Sequence, residues 1–278
     1  MTEPIAFDRL LAQSWALFKQ NWIVAAPPLI AGGVVLVTLA VLAAFAAAAL
    51  TAGKDVNHPS GSTIVLLVGA YLLFAVVALP AAWWAVLAQY GMADAVWLRG
   101  TTGLREGTAA FRARWAPSFV AVLGLTGLAI AALILALPTL GIALLALPLF
   151  TMYVVPSVVG GGRRGFAAIS ESFRLVRRFF LPSLIVLLVL FAIQFGIGMI
   201  GGIGMYPLEF SLLSSSGKDA ALQLPPLPLL VFAALFYLAS LVAGIAYSGF
   251  YAIALTGMYR ALAAQPQAPP PAGEIVAT

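Results

Sequence analysis

Apolar residues fill six long stretches of this chain almost without interruption, and the polar residues gather in the gaps between them. A helix crosses the hydrocarbon of a bilayer with about 20 apolar residues. The pattern therefore predicts spans at 23–51, 63–90, 117–137, 139–159, 181–204 and 228–258. The stretch Gly53 to Ser62, with Asn57-His58-Pro59-Ser60-Gly61 at its centre, reads as the turn between the first two. Only Pro138 separates the third span from the fourth, which predicts a tight hairpin. Pro80 and Pro148 fall inside spans, where kinks are expected. The outer stretch 205–227, with Phe210, Leu212 and Leu213 among polar residues, suggests a short surface helix.

A second pattern precedes the first, third and fifth spans. In Phe7–Trp22 the apolar residues Phe7, Leu11, Trp15, Phe18 and Trp22 recur at helical spacing. In 166–180 Phe166, Ile169, Phe173, Val176 and Phe180 do the same opposite Glu171, Arg174, Arg177 and Arg178. Leu104–Trp115 repeats the pattern more weakly. Basic amphipathic helices with aromatic faces lie in the headgroup layer of anionic membranes. The segments also resemble one another. Ser14-Trp15-Ala16-Leu17-Phe18-Lys19, Ala110-Phe111-Arg112-Ala113-Arg114-Trp115 and Ser172-Phe173-Arg174-Leu175-Val176-Arg177 each lead into a span. Three copies of one unit, an interfacial helix followed by two spans, would produce this; so would positive-inside charge with aromatic anchoring alone.

Composition changes the picture in one direction. The 278 residues are 63% hydrophobic and 8% charged, whereas soluble domains carry about 25% charged residues, so lipid serves as the solvent for much of the chain. No stretch is polar enough to be a soluble domain. The expectation is an integral membrane domain over 1–262 and a disordered, proline-rich tail over 263–278. The N-terminus, with Glu3 and Asp8 ahead of an apolar run beginning after residue 21, does not read as a secretory leader.

Twelve of the fourteen lysines and arginines fall on one side of the predicted topology, and only Lys54 and Lys218 on the other. The positive-inside rule makes the rich side cytoplasmic, with both termini there. The same rule accounts for the net charge of +5 without a nucleic-acid partner. The fold class expected is all-α: a polytopic transmembrane bundle of about six spans with three interfacial helices on the cytoplasmic side.

Candidate chemistry is sparse. The chain has no cysteine, which excludes thiolate catalysis and cysteine–zinc sites, and its one histidine, His58, falls in the predicted external turn, which leaves no basis for a histidine cluster, a Ser–His pair or an HExxH motif. No catalytic residue, cofactor or metal site is expected, and the chain does not read as an enzyme. Gly196-Ile197-Gly198-Met199-Ile200-Gly201 matches GxGxxG but lies in an apolar span without the strand–turn–helix setting that motif needs. Asp94 is the one candidate intramembrane charge, with Arg99 near enough to pair. Tyr237, Ser240, Gly244, Tyr247 and Tyr251 share one face of the last span. Trp83, Tyr90 and Asp94 share a face of the second, and Gln194 sits on the fifth. Asp94, Tyr90, Gln194, Tyr237, Ser240, Tyr247 and Tyr251 are thus candidates for a polar groove, with helix packing as the competing reading. Arg112, Arg114, Arg174, Arg177 and Arg178 are candidate contacts for anionic lipid headgroups, and Arg163 and Arg164 lie near them; the alternatives are topology alone or a membrane-protein partner.

The layout resembles a group of bacterial six-helix proteins that includes the YciC-like proteins and the membrane domain fused ahead of some glycerophosphodiester phosphodiesterases. The residues that carry the resemblance are Ser14-Trp15-Ala16-Leu17-Phe18-Lys19-Gln20-Asn21-Trp22, Ser172-Phe173-Arg174-Leu175 and Pro156. It implies a membrane location and little more, since no phosphodiesterase domain follows. Function is then ordered by what the residues supply. A non-enzymatic membrane module (a scaffold, accessory subunit or lipid-organising protein) comes first. A small uncoupled transporter or permease for a lipid or other apolar or zwitterionic substrate comes second, and a membrane-embedded lipid enzyme third.

Overall fold

The computed structural model describes residues 7–52, 61–214 and 226–265. The predicted first turn with His58, residues 215–225 of the outer stretch and nearly all of the proline-rich tail lie outside the described residues. Six helical segments are long and apolar enough to cross a membrane: Trp22–Phe45, Val68–Arg99, Leu104–Ala136, Ile142–Val159, Phe180–Pro207 and Leu227–Ala263. The protein is an all-α, multi-pass membrane protein, and among the described residues it contains no strand.

Helix α1, Phe7–Gln20, buries Leu10, Ser14 and Phe18. Trp15 and Trp22 are 51% and 68% exposed, so the inward face lies one position round from the predicted aromatic stripe. A 3-10 turn, Trp22–Ala25, leads into α2, Ala26–Ala52. Pro27 and Pro28 sit in the first turn of α2, where a helix has no use for their missing N–H groups. Helix α3, Gly61–Arg99, runs nine residues past the predicted end of the second span. Nothing breaks it before Gly100, whose φ of +79° suits glycine and whose N–H caps the Val96 carbonyl at 2.8 Å.

Helix α4, Leu104–Ala136, corrects one expectation. The basic stretch Leu104–Trp115 is not a separate interfacial helix but the first three turns of the third span, continuous through Pro117. At 1.5 Å per residue, 33 residues reach about 50 Å, well beyond the roughly 30 Å of hydrocarbon. The excess carries Arg105, Arg112 and Arg114. The hairpin at Pro138 forms through Gly141, at φ +82°, and leads into α5, Ile142–Thr151, and α6, Val154–Val159. Helix α3 continues through Pro80 and α5 through Pro148. A break falls at Met152–Tyr153, where Pro156 cannot donate to the Met152 carbonyl.

Helix α7, Phe166–Arg178, stands apart from the spans and buries Ile169, Glu171, Ser172, Leu175 and Val176. Phe166 and Phe180 face outward. Helix α8, Phe180–Ser214, continues over Phe210 to Ser214, so that part of the outer stretch extends the fifth span. Helix α9, Leu227–Ala263, closes the fold.

Two of the three suspected repeat units share a detail of backbone. Asn21 and Phe179 each lie seven residues after Ser14 and Ser172, and each breaks the helix with nearly the same dihedrals, φ −127°, ψ 44° and φ −125°, ψ 51°. The middle unit has Pro117 at that position and no break. Asn21 also ties its hinge to the end of α3, its Nδ2 donating to the carbonyls of Leu17 (3.1 Å) and Gly100 (2.9 Å). Asn21→Ala is expected to cost about 1–2 kcal/mol, read as a lower thermal midpoint in detergent, because the Gly100 carbonyl loses its donor.

Burial is concentrated at the arginine-rich end, in α3 from Ala85 to Val96 and in α9 from Gly249 to Leu262. The far halves of α2, α3, α8 and α9 expose Phe45, Val76, Ile203 and Leu235, as expected of surfaces solvated by acyl chains.

Candidate functional site

The groove candidates divide into three settings. Asp94, on α3, accepts from Arg260 of α9, with Nε at 2.9 Å and Nη2 at 2.6 Å. This corrects the expected partner: Arg99 turns instead to Glu106, 3.7 Å away. Asp94 also presses on Gly160, where a Cβ would stand 2.6 Å from Oδ1, so only glycine lets the end of α6 pass so near.

Ser240 and Tyr247 of α9 donate to the carbonyls of Ile197 (3.2 Å) and Leu190 (2.7 Å) on α8. Gly201 and Gly204 lie against Ser240 and Phe236 in the same seam. Small residues let the two backbones approach, and hydroxyls then bridge them. Tyr247→Phe is expected to lower stability by roughly 1 kcal/mol, measured as a shift in the denaturation midpoint, since one carbonyl bond is lost. Tyr90 is buried, and the rings of Tyr247 and Tyr251 lie 5.7 Å apart. Tyr153, fully buried at the start of α6, shares a hydrogen bond with Ser183 at 3.1 Å. Gln194 and Tyr237 are exposed and do not join this group. Trp83 donates through Nε1 to Ser118 Oγ at 2.9 Å, which in turn donates to the Trp115 carbonyl. This pair edges an apolar cavity of about 370 Å³ between α3, α4 and α6.

The basic residues form the more distinctive arrangement. Helix α7 enters through two left-handed glycines, Gly162 (φ +67°) and Gly165 (φ +51°). The Gly165 N–H donates to the Pro117 carbonyl at 3.1 Å, which pins the start of α7 to α4. The Phe166 ring and Ile169 then lie against Gly124 of α4. Two grooves follow this contact, one on each side of Phe166. The first, about 620 Å³, is lined by Arg114, Pro117, Val120, Arg164 and Phe166. The second, about 680 Å³, is lined by Leu128, Phe166, Phe173, Arg174, Arg177 and Arg178. Arg114 reaches over Gly162, which leaves its guanidinium between α4 and the entry to α7.

Glu171 is the acidic counterweight, and it faces inward. It is 8% exposed and accepts from Arg174 Nη2 at both oxygens, 2.7 and 2.6 Å, with Arg163 Nη2 at 3.8 Å. Tyr259 lies in the field of Glu171, Arg163, Arg174 and Arg260, which joins this cluster to the Asp94 pair. One carboxylate thus serves Arg163 and Arg174, and Arg114, Arg164 and Arg177 line grooves whose walls, among the described residues, supply no carboxylate.

Of the candidate lipid contacts, the structure brings Arg114, Arg174, Arg177 and Arg178 to these grooves, whereas Arg112 stays exposed outside them. Sequence reasoning did not single out Phe166 as the wall between the grooves or Arg260 as the partner of Asp94. The two left-handed glycines of Gly160-Gly161-Gly162-Arg163-Arg164-Gly165 were a signal for the sharp entry to α7. Among the described residues no group of histidines and carboxylates is placed to hold a metal ion.

Fold and site together define a multi-pass α-helical membrane protein with a basic, apolar-walled edge at one end. No family model, no curated protein and no solved structure matches the chain.

Proposed function

We propose that this protein is a non-enzymatic, lipid-organising module of the bacterial inner membrane, with its arginine-rich end and both termini in the cytoplasm. The observation that carries the reading is the pair of grooves around Phe166, where guanidinium groups sit beside apolar walls at the end of the spans. That combination suits a phospholipid, whose phosphate needs cations and whose first acyl carbons need apolar surface. Each arginine near an anionic leaflet contributes about 1 kcal/mol of attraction. The orientation rests on the positive-inside rule, with twelve of fourteen basic residues on one side. The resemblance to the YciC-like six-helix proteins agrees with a membrane module of this type.

The transporter reading draws less support. A carrier needs a polar path, and the hydroxyls of Ser240 and Tyr247 are spent on carbonyls of α8. A scaffold or accessory role fits the same surfaces if the basic edge meets another membrane protein.

The test is native mass spectrometry of protein extracted in mild detergent. Anionic phospholipid is expected to remain bound, and Arg114→Gln with Arg177→Gln is expected to reduce it at least about tenfold, as loss of two such attractions implies. A protein that retains only zwitterionic lipid, or none, would refute the reading.

A further inference from the structure

We infer that the two grooves form one site for a phospholipid carrying two phosphates, with Phe166 seated between them. This deepens the lipid-organising reading and rests on it. Three observations lead here. The grooves share a single wall, the Phe166 ring, which is 66% exposed and stands between their guanidinium groups. Each groove has its own cations: Arg114 and Arg164 on one side, Arg174 and Arg177 on the other. Among the described residues the one carboxylate close by, Glu171, is turned inward and shared by Arg163 and Arg174, and it forms no ion pair with Arg114, Arg164 or Arg177.

A lipid with one phosphate satisfies one groove and leaves the other basic. A lipid whose two phosphates are joined by a short glycerol bridge places one in each, and the bridge passes over the edge of Phe166. Its acyl chains then descend along the apolar walls, past Val120 on one side and Leu128 and Phe173 on the other. The geometry is held by backbone as well as side chains. Gly165 is pinned to Pro117, and Phe166 and Ile169 close on Gly124, where a Cβ would stand 2.9 Å from the Phe166 ring and 2.6 Å from Ile169. The spacing between the grooves is therefore set by the crossing of α4 and α7. Binding both phosphates at once makes the second contact intramolecular, which is the source of the preference over single-phosphate lipids.

The experiment uses the full chain in nanodiscs of phosphatidylcholine doped with either a two-phosphate cardiolipin or phosphatidylglycerol at equal total charge, followed by native mass spectrometry of the released protein. The expected result is one cardiolipin per chain, retained at least about tenfold over phosphatidylglycerol, as a bivalent advantage of modest size gives. Arg114→Gln with Arg164→Gln, and separately Arg177→Gln, should each abolish that preference while leaving weaker, charge-dependent retention of either lipid. Arg112→Gln, outside both grooves, should leave that preference unchanged. Equal retention of the two anionic lipids per unit charge would overturn the two-phosphate site and leave the anionic-lipid reading standing. Retention of neither above phosphatidylcholine would overturn both. The Arg112→Gln control and an unchanged thermal midpoint separate a lost site from a lost fold.

Discussion

Arg260→Ala is expected to lower the unfolding free energy of the detergent-solubilised protein by about 3 kcal/mol, and Asp94→Ala by about 2 kcal/mol. The two side chains form a doubly hydrogen-bonded pair between the ends of α3 and α9. The asymmetry comes from exposure, with the Asp94 side chain at 16% and that of Arg260 at 32%. Removing the arginine strands a carboxylate that water reaches poorly, and Gly160 presses on the same oxygen. Removing the aspartate leaves a long cation able to swing towards solvent. The double variant should be no less stable than Arg260→Ala alone, because no orphaned charge remains. A double-mutant cycle on the thermal or denaturant midpoint reads this directly. Additive losses would mean that the pair is screened and that each residue acts through other neighbours.

Gly257→Val should be damaging on the same scale. Gly257 lies on α9 where that helix crosses α3, and a Cβ there would run into the Trp97 indole. Trp97 is held in place, with Nε1 donating to the Ile253 carbonyl at 2.7 Å. A valine would drive the helices apart or push the indole off its carbonyl. Overpacking costs about 1–3 kcal/mol, and the Trp97 indole N–H, left without its acceptor, adds about 1 kcal/mol. Gly244→Val on the same helix is the matched control, since nothing lies within 4 Å of its Cβ direction. The control should shift the midpoint little, and the contrast isolates packing from the helix propensity common to both sites.

The six spans were legible in the sequence because hydrophobic length reads bilayer thickness directly, one segment at a time. Their ends were less so. Tyr90 and Asp94 looked like the edge of the second span, yet no glycine or proline halts α3 before Gly100, and it runs on to Arg99. Pro117 looked like the start of the third span, but a proline removes only one rung of the ladder, and α4 passes through it. Helix α1 showed the limit of periodicity: the spacing marks an apolar stripe, while the inward face is set by what α9 offers, and Trp15 stays half exposed at its edge, its ring 5.8 Å from that of Phe250.

Pairing across the bundle was the least legible feature. Asp94 and Arg260 lie 166 residues apart. Only topology places them at the same end, and sequence proximity pointed to Arg99. The basic edge was visible as arginines in number, without the crossing of α4 and α7 at Gly124 that divides them into two grooves. For the face Tyr237, Ser240, Gly244, Tyr247 and Tyr251 the packing alternative raised from the sequence describes two of the four hydroxyls, since Ser240 and Tyr247 serve α8 carbonyls while Tyr237 is exposed.

The measurement that tests the central claim most directly uses the absence of cysteine from the chain. Single cysteines can be placed at His58→Cys, Thr101→Cys, Arg164→Cys and Lys218→Cys and probed in intact cells with a membrane-impermeant thiol reagent. The account predicts that positions 58 and 218 label from outside, whereas 101 and 164 label only after the membrane is opened. Labelling of 101 and 164 in intact cells, with 58 and 218 protected, would put the arginine-rich edge on the wrong side of the membrane and contradict the account.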